Sequence, residues 1–566
     1  MRYPELEGAI AAITSTQGPF PLREETIGGR GQRVFGGLPD SLRDLYAFAA
    51  TYGDKDCLVY GDQRHSFADV LRQASVLAGQ LSARYGIRKG DRVAIAMRNC
   101  PEWCISFLAV TSLGAVAVPM NSWWQGEELA YGLQDSGASL VILDGARHSR
   151  IAGWLPGSGI RVLGVETDRA VLPAEVDRLE DLLNAAKPME LPPVAIGPED
   201  LALILYTSGT TGRPKGVLST QRNVISALGT WLVLITAVAV VDGTVGQEPE
   251  IQPAILLSLP LFHVTGLHSL LLLSLAIGRK VVVMRKWDVD TALELIQSER
   301  ITHFNGVPTM SMELMDHPRL GDYDLSTLVD ISAGGAARPA EQVAKLIEKF
   351  PNAKPSLGYG LTETNAVGCV FGQEDYVDRP RSVGRPTAPL VEVRIIDEAG
   401  KVVPPGLSGE ICIRSPAVAC GYWNQPEATA AAFPDGWCRT GDLGYLDSEG
   451  FLYIVDRLKD IIIRGGENIS CLEVEEALYA YPGIAEAAVF SLPDQRLGEI
   501  VGAAVMMREG AEADPEQIRA FVAGRLARFK VPEHIWCLTE HLPRTASGKI
   551  SKKQLRSELI ERLGLQ

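Results

Sequence analysis

The segment Tyr206-Thr-Ser-Gly-Thr-Thr-Gly-Arg-Pro-Lys-Gly216 concentrates the residue types that grip a polyphosphate. Gly209, Gly212 and Gly216 let successive backbone N–H groups turn toward one anion without Cβ interference. The hydroxyls of Thr207, Ser208, Thr210 and Thr211 add donors, and Lys215 adds positive charge. The spacing G-x-x-x-x-G-K-[ST] of a Walker loop is absent. Other reactive types are dispersed along the chain. His263 lies in Leu259-Pro-Leu-Phe-His-Val-Thr-Gly266, Glu363 in Tyr359-Gly-Leu-Thr-Glu-Thr, and Asp442 in Thr440-Gly-Asp. Arg457 and Lys459 lie in Asp456-Arg-Leu-Lys-Asp460, and Lys549 ends Pro543-Arg-Thr-Ala-Ser-Gly-Lys. Taken singly, Asp442 reads as a turn residue and Lys549 as a solvated surface cation.

Strands and helices must position these groups. The apolar run Asp91–Met97 reads as a strand, Glu102–Leu113 as a helix, Ala115–Met120 as a strand, Glu127–Asp135 as a helix and Ser139–Leu143 as a strand. Leu201–Tyr206 is a strand feeding the Gly-rich loop. Lys280–Met284, Thr291–Glu299 and Ile301–Gly306 repeat the order strand, helix, strand. This alternation predicts an α/β fold, a large N-terminal domain of parallel sheets covered by helices, whose loops gather ligands at the carboxyl ends of the strands. Ala152–Gly197 reads as loop-rich. After about residue 456 the pattern changes. Ile461–Ile463, Glu473–Tyr479, Ala485–Phe490, Ile500–Met507 and Pro515–Leu526 compose a small α+β domain. The expected division is 1–456 and 457–566, with the small domain mobile and the polar stretch Asp456–Lys459 as its hinge.

Composition narrows the function classes. The 566 residues hold 54 Lys+Arg against 69 Asp+Glu, a net charge of −15, so the basic face that nucleic acid requires is missing. Nine cysteines are scattered, and no second pair or His completes a zinc pattern around Cys100 and Cys104. They read as buried reduced thiols. The first residues show no basic segment followed by an apolar one, so a cytoplasmic location is expected. Ala227–Val241 is shorter than the ~18–20 apolar residues of a membrane span, and Leu256–Ile277 is broken by Pro260, His263, Thr265 and His268. Both read as core elements, with no transmembrane segment. Trp123 and Trp124 read as packing residues.

The motifs, in this order, resemble those of the adenylate-forming superfamily, in its acyl-CoA synthetase branch. To those already quoted, Ala333-Gly-Gly-Ala336 adds a segment similar to the family's nucleotide-wall turn. The resemblance implies that a carboxylate attacks the α-phosphorus of ATP, releasing pyrophosphate, and that the acyl group then passes to coenzyme A. It implies that Thr207–Gly212 and Lys215 clamp the departing phosphates. Glu363 would hold Mg²⁺, a hard cation that takes oxygen ligands, with Thr207 a second candidate. Thr362 would donate to the α-phosphate, Tyr359 would face adenine beside Gly335, and Asp442 and Arg457 would hold the ribose. Lys549 would bridge carboxylate and α-phosphate as charge builds. The small domain would then rotate about Lys459, bringing in the Gly465-Gly466 turn to border the thiol arm of coenzyme A. One departure from the family is Leu357, where many relatives carry Asn or Gln toward the adenine amino group.

By the same resemblance the acid lies around His263, Val264, Gly266, Leu267, Asn305 and Gly334. Amino-acid-activating relatives place an Asp where this chain has Val264, and a desolvated ammonium without a partner is costly, so an α-amino acid is disfavoured. The apolar character of these positions points to a hydrophobic acid, expected to be a fatty acid, with an aryl or alicyclic acid as the alternative. Delivery to a carrier protein, a luciferase-type oxygenation and a binding protein without chemistry are the other readings. A homodimer is compatible with all of them.

Overall fold

The computed structural model describes residues 3–563 apart from 167–171, 186–190, 208–212, 336, 337, 339, 372, 509, 512, 513, 546 and 547. Two sheets organise the large unit. The first runs, edge to edge, Gly421–Tyr422, Lys215–Thr220, Leu201–Thr207, Val116–Pro119, Arg92–Ala96, Leu140–Asp144, Arg161–Val165, Asp177–Arg178. The second runs Arg385–Pro386, Cys369–Val370, Lys354–Tyr359, Asp330–Gly334, His303–Gly306, Ala254–Leu257, Lys280–Val283, Asp56–Tyr60, Gln63–Ser66. Interior pairs are parallel, as the strand–helix alternation predicts. Antiparallel hairpins extend the edges. Helix Pro101–Ser112, buried on nearly every side, touches strands of both sheets and carries the free thiol Cys104 inside the core.

Three features go beyond the sequence reading. Residues 392–457 form a third sheet, Glu392–Ile396, Gly409–Arg414, Cys438–Leu446 and Leu452–Arg457, antiparallel throughout. Its hairpins need no crossover helix, so the alternation used to find the other sheets was silent here. The stretch read as loop-rich contains the strands Arg161–Val165 and Asp177–Arg178 and the helix Leu179–Ala185. The apolar run Ala227–Val241 belongs to a longer helix, Gln221–Val241, which by length and composition alone is sufficient to cross a membrane. Half of its most apolar window is buried in the fold. Its first turns are enclosed by the large unit, and its later part packs on helix Tyr3–Ile13.

The small unit is a mixed α+β layer. Strands Glu467–Ile469, Ile462–Arg464, Gly498–Met507 and Ile484–Asp494 pair antiparallel, and His534–Leu538 joins Gly498–Met507 in parallel. Helices Cys471–Tyr479, Pro515–Ala523 and Lys552–Leu563 accompany the sheet.

Candidate active site

The Gly-rich loop is strung between two antiparallel strands, with Thr207 directly opposite Lys215. Ser208, Gly209, Thr210, Thr211 and Gly212 lie outside the described residues. At the loop's base the Thr207 hydroxyl donates to the Lys215 carbonyl at 3.5 Å. The Lys215 ammonium stands 5.0 Å from the centre of the Tyr422 ring, and the Tyr422 hydroxyl donates to Glu363 Oε1 at 2.8 Å. Tyr422 therefore ties the phosphate loop to the expected metal ligand. It reaches this place because its two-residue edge strand pairs with Lys215–Thr220. The sequence reading missed it; the available signal was the aromatic pair Tyr422-Trp423 directly after Gly421.

Glu363 sits on the short helical turn Thr362–Thr364, which follows strand Lys354–Tyr359. Thr364 accepts from Leu361 N at 3.0 Å. Asn365, at φ +50, donates to the Ala417 carbonyl at 2.8 Å and locks the turn from behind. The Glu363 carbonyl accepts from Ala419 N at 2.9 Å. Among the described residues no group of three or more His, Cys, Asp or Glu side chains gathers as a metal cage. The described contacts of the Thr207 hydroxyl are with Lys215 rather than Glu363. A single carboxylate is a donor Mg²⁺ uses when substrate phosphates and water supply the other ligands, so Glu363 fits that ion. Bound there, it would neutralise charge on the phosphates.

A second corner forms where two sheets meet. Asp442 and Arg457 are cross-strand partners in the antiparallel sheet, and their side chains pair at 3.1 Å. The Tyr359 hydroxyl, from the end of a strand of the nine-stranded sheet, donates to the other Asp442 oxygen at 2.7 Å. Burial raises the Asp442 pKa, while Arg457, the Tyr359 hydroxyl and Lys549 oppose the rise. A carboxylate offers about four acceptor sites, so Asp442 keeps capacity for two ribose hydroxyls. Leu357 is buried, and its carbonyl already accepts from Phe371 N at 3.2 Å.

Lys549 reaches this corner from the small unit. A Cβ on Gly335, at φ +78, would lie 3.2 Å from Lys549 Cε, and one on Gly548 would lie 3.2 Å from Val307 Cγ2. Burial, reinforced by Arg457, pulls the Lys549 pKa down to about 8; Asp442 works against this. Lys549 also adds to the burial that holds the His263 pKa down at about 3, so this imidazole is neutral. The His263 ring packs on Phe262 with centroids 4.6 Å apart, and its Nε2 is buried without a hydrogen-bond partner among the described residues.

The remaining acid-site positions are closely packed. Val264 and Leu267 belong to the main core. A Cβ on Gly266 would meet the Pro260 carbonyl oxygen at 2.3 Å. Asn305 is the penultimate residue of strand His303–Gly306, and its Oδ1 is buried and unpartnered among the described residues. Gly334 closes the neighbouring strand. Lys459 lies in the connection between Arg457 and strand Ile462–Arg464. Gly465 and Gly466, at φ +60 and +92, form the two-residue turn of hairpin Ile462–Ile469, the conformation that favours glycine. Gly466 faces open space. In this arrangement the described contacts bring together Lys549, Gly335, Asp442, Arg457, Tyr359 and His263, and separately Glu363, Tyr422 and Lys215; the Gly465-Gly466 turn stands apart.

Residues 45–423 match the family described as AMP-binding enzyme, and residues 473–549 match the AMP-binding enzyme C-terminal domain. The chain is 36% identical over 540 residues to a long-chain-fatty-acid–CoA ligase of Bacillus subtilis (strain 168), covering 91% of this chain and 93% of that one. It is 36% identical over 497 residues to a feruloyl-CoA synthase of an Amycolatopsis species, covering 88% and 94%. A solved o-succinylbenzoate CoA synthetase of Bacillus subtilis, in complex with its acyl-adenylate intermediate, superposes with a TM-score of 0.75 at 30% identity over 90% of this chain and 97% of that one. With the motifs assembled on this fold, the chain belongs to the AMP-binding enzyme family, as an AMP-forming carboxylate–CoA ligase.

Proposed function

We propose that the acid is a compact aryl carboxylic acid bearing a hydrogen-bond donor on its ring, activated as the acyl-adenylate and delivered to coenzyme A. The observation that carries this reading is the Asn305 amide oxygen, buried and unpartnered among the described residues beside the strand end that meets the Lys549 loop. An aliphatic tail would leave that acceptor unsatisfied at a cost of about 1–3 kcal/mol, whereas a ring hydroxyl pairs with it. The close packing of Val264, Gly266 and Leu267 favours a short, flat acid over a long chain. A fatty acid, the expectation from apolar residue types alone, is therefore the second choice. Among the relatives, the names feruloyl-CoA synthase and o-succinylbenzoate CoA synthetase support an aryl group in the acid, whereas the Bacillus subtilis ligase is named for long-chain fatty acids.

In the first step Lys549, as the ammonium, neutralises the carboxylate and the α-phosphate while Glu363, held by Tyr422, steadies the phosphate side. Asp442, Arg457 and Tyr359 fix the nucleoside. In the second step the small unit turns about Lys459 and withdraws Lys549. The thiol loses its proton to solvent and its sulfur attacks the acyl carbon; a C–S bond forms, the bond from that carbon to the phosphate oxygen breaks, and AMP leaves. Neutral His263 borders that path without adding a charge.

The test is a pyrophosphate-release panel of hydroxycinnamic, benzoic, alicyclic and C6–C16 fatty acids, with and without coenzyme A. A hydroxylated aryl acid is expected to show the highest kcat/KM. Asn305→Leu should lower its kcat/KM about 10–100-fold while altering that of the unsubstituted ring less than about 3-fold. A fatty acid that outperforms every aryl acid refutes the assignment.

A further inference from the structure

The loop Thr207–Lys215 joins two paired strands, so whatever fixes the strand ends fixes the loop. Both ends, and the edge strand beside them, lead to one side chain outside the phosphate motif. That residue is Asp135, in the last turn of helix Gly126–Ser136. Before the loop, the Tyr206 hydroxyl donates to Asp135 Oδ2 at 2.6 Å, with the Gly132 carbonyl a more distant acceptor at 3.4 Å. Tyr206 is buried and edge-on to Trp124, with ring centroids 5.6 Å apart. Burial, with the Asp135 carboxylate adding to it, pushes the Tyr206 pKa up, so its hydroxyl stays a donor. After the loop, the Tyr131 hydroxyl lies 3.4 Å from both Asp135 Oδ1 and the Pro214 carbonyl. The Arg213 guanidinium stands 4.9 Å from the centre of the Tyr131 ring.

The main chain of the same residue holds the edge strand. Trp423 Nε1 donates to the Asp135 carbonyl at 2.8 Å, and Trp423 N donates to the Gly216 carbonyl at 2.7 Å. Trp423 follows Tyr422, whose hydroxyl holds Glu363. The helix itself gains nothing from an acid here. A carboxylate in the last turn opposes the helix dipole, and Asp is a weak helix former. Arg92 donates to the Ser136 and Gly137 carbonyls at 3.2 and 3.0 Å, which satisfies the helix end without using the Asp135 side chain. A residue that breaks local rules while bridging three segments is placed for the bridge.

We propose that Asp135 is a positioning residue for adenylation. Acting through Tyr206, Tyr131 and Trp423, it holds both limbs of the phosphate loop and the Tyr422–Glu363 pair in one frame, so that loop and metal ligand converge on the same phosphates. The proposal rests on the reading of Thr207–Lys215 as the phosphate clamp, with Glu363 as the metal ligand.

The experiment uses full-length Asp135→Ala, Asp135→Asn and Tyr206→Phe chains and the double variant Asp135→Ala with Tyr206→Phe. Acid-dependent ATP–pyrophosphate exchange reads the first half-reaction, and transfer from the pre-formed acyl-adenylate to coenzyme A reads the second. Asp135→Ala should raise the KM for MgATP about 10-fold or more. The KM for the acid and the transfer rate should stay within about 2-fold of the unsubstituted chain. Tyr206→Phe should move the KM for MgATP in the same direction, and the double variant should lie within about 2-fold of Asp135→Ala, since the two residues act as one contact. Asp135→Asn keeps an oxygen for Tyr206 and should recover most of the loss. An unchanged KM for MgATP in Asp135→Ala and Tyr206→Phe overturns the proposal. So does equal slowing of both half-reactions with no rescue by Asp135→Asn, which would mean that Asp135 only supports the fold. If Asp135→Ala fails to fold, Tyr206→Phe decides: a raised KM for MgATP supports the role and an unchanged one overturns it. Lys215→Ala separates the proposal from the reading beneath it. If that variant leaves the KM for MgATP unaltered, the clamp reading falls and the positioning role with it. A raised KM in Lys215→Ala beside unaffected Asp135 and Tyr206 variants overturns the positioning role alone.

Discussion

In the proposed adenylation step Lys549 acts as the ammonium, and burial makes that charge harder to keep. Its pKa is lowered from 10.5 to about 8, so the ammonium form is full below that value and is lost as pH rises through it. Acid-dependent pyrophosphate exchange should therefore fall above about pH 8, well before an ordinary lysine would titrate. Lys549→Arg, whose guanidinium does not titrate in this range, should retain less activity but lose the alkaline limb. Lys549→Ala should abolish adenylation yet still transfer a pre-formed acyl-adenylate to coenzyme A; equal collapse of both half-reactions would refute the division of labour. Tyr422→Phe removes one hydrogen bond to a carboxylate, worth about 1.5–3 kcal/mol. It should raise the KM for MgATP about 10-fold or more and leave the KM for the acid unchanged, as read by steady-state pyrophosphate release.

At the scale of elements, turns and caps carry the site. The turn after strand Asp330–Gly334 works because Gly335 adopts φ +78 and leaves room for Lys549. Gly335→Ala adds both backbone strain and a Cβ 3.2 Å from Lys549 Cε. It should lower the adenylation rate about 100-fold, the scale of a misplaced catalytic group, with a much smaller effect on transfer from pre-formed adenylate. Helix Gln221–Val241 starts where it does because the Thr220 side chain accepts from Asn223 N, and Asn223 returns a contact to Thr220. That cap anchors the strand leaving the phosphate loop. Thr220→Ala should cost about 1 kcal/mol locally, seen as roughly 5-fold faster hydrogen exchange at the helix's first amides.

At the scale of the whole molecule, ion pairs join the two units in the arrangement that inserts Lys549. Arg508 meets Asp316 at 2.8 Å and Arg381 meets Glu476 at 3.4 Å. Exposed pairs of this kind are worth about 0–1 kcal/mol each, enough to bias the proposed rotation of the small unit without locking it. Asp316→Arg repels Arg508 and also releases Lys345. Adenylation should slow about 2–5-fold, while transfer from the pre-formed adenylate should hold or accelerate. Equal slowing of both would mean that the pair stabilises the fold rather than one position.

The strand–helix alternation of the large unit was legible because buried parallel strands are apolar runs bounded by helices, as in Arg92–Ala96, Pro101–Ser112 and Val116–Pro119. The candidate loop Thr207 to Lys215 stood out because phosphate binding favours glycine, hydroxyl and cation in one segment. The sheet at 392–457 was not, because hairpins carry no crossover signal; its turns at Asp397–Gly400 and Asp447–Gly450 were the available cues. Tyr422 was invisible for a related reason. Its value comes from touching Glu363, 59 positions away, and Lys215, across an edge-strand pairing that no local pattern encodes. Likewise the sequence showed Trp123 and Trp124 as equals. Only the fold decided that one fills the core and the other stands beside Arg98, Arg285 and Lys286, because burial and charge density belong to surfaces assembled from distant segments.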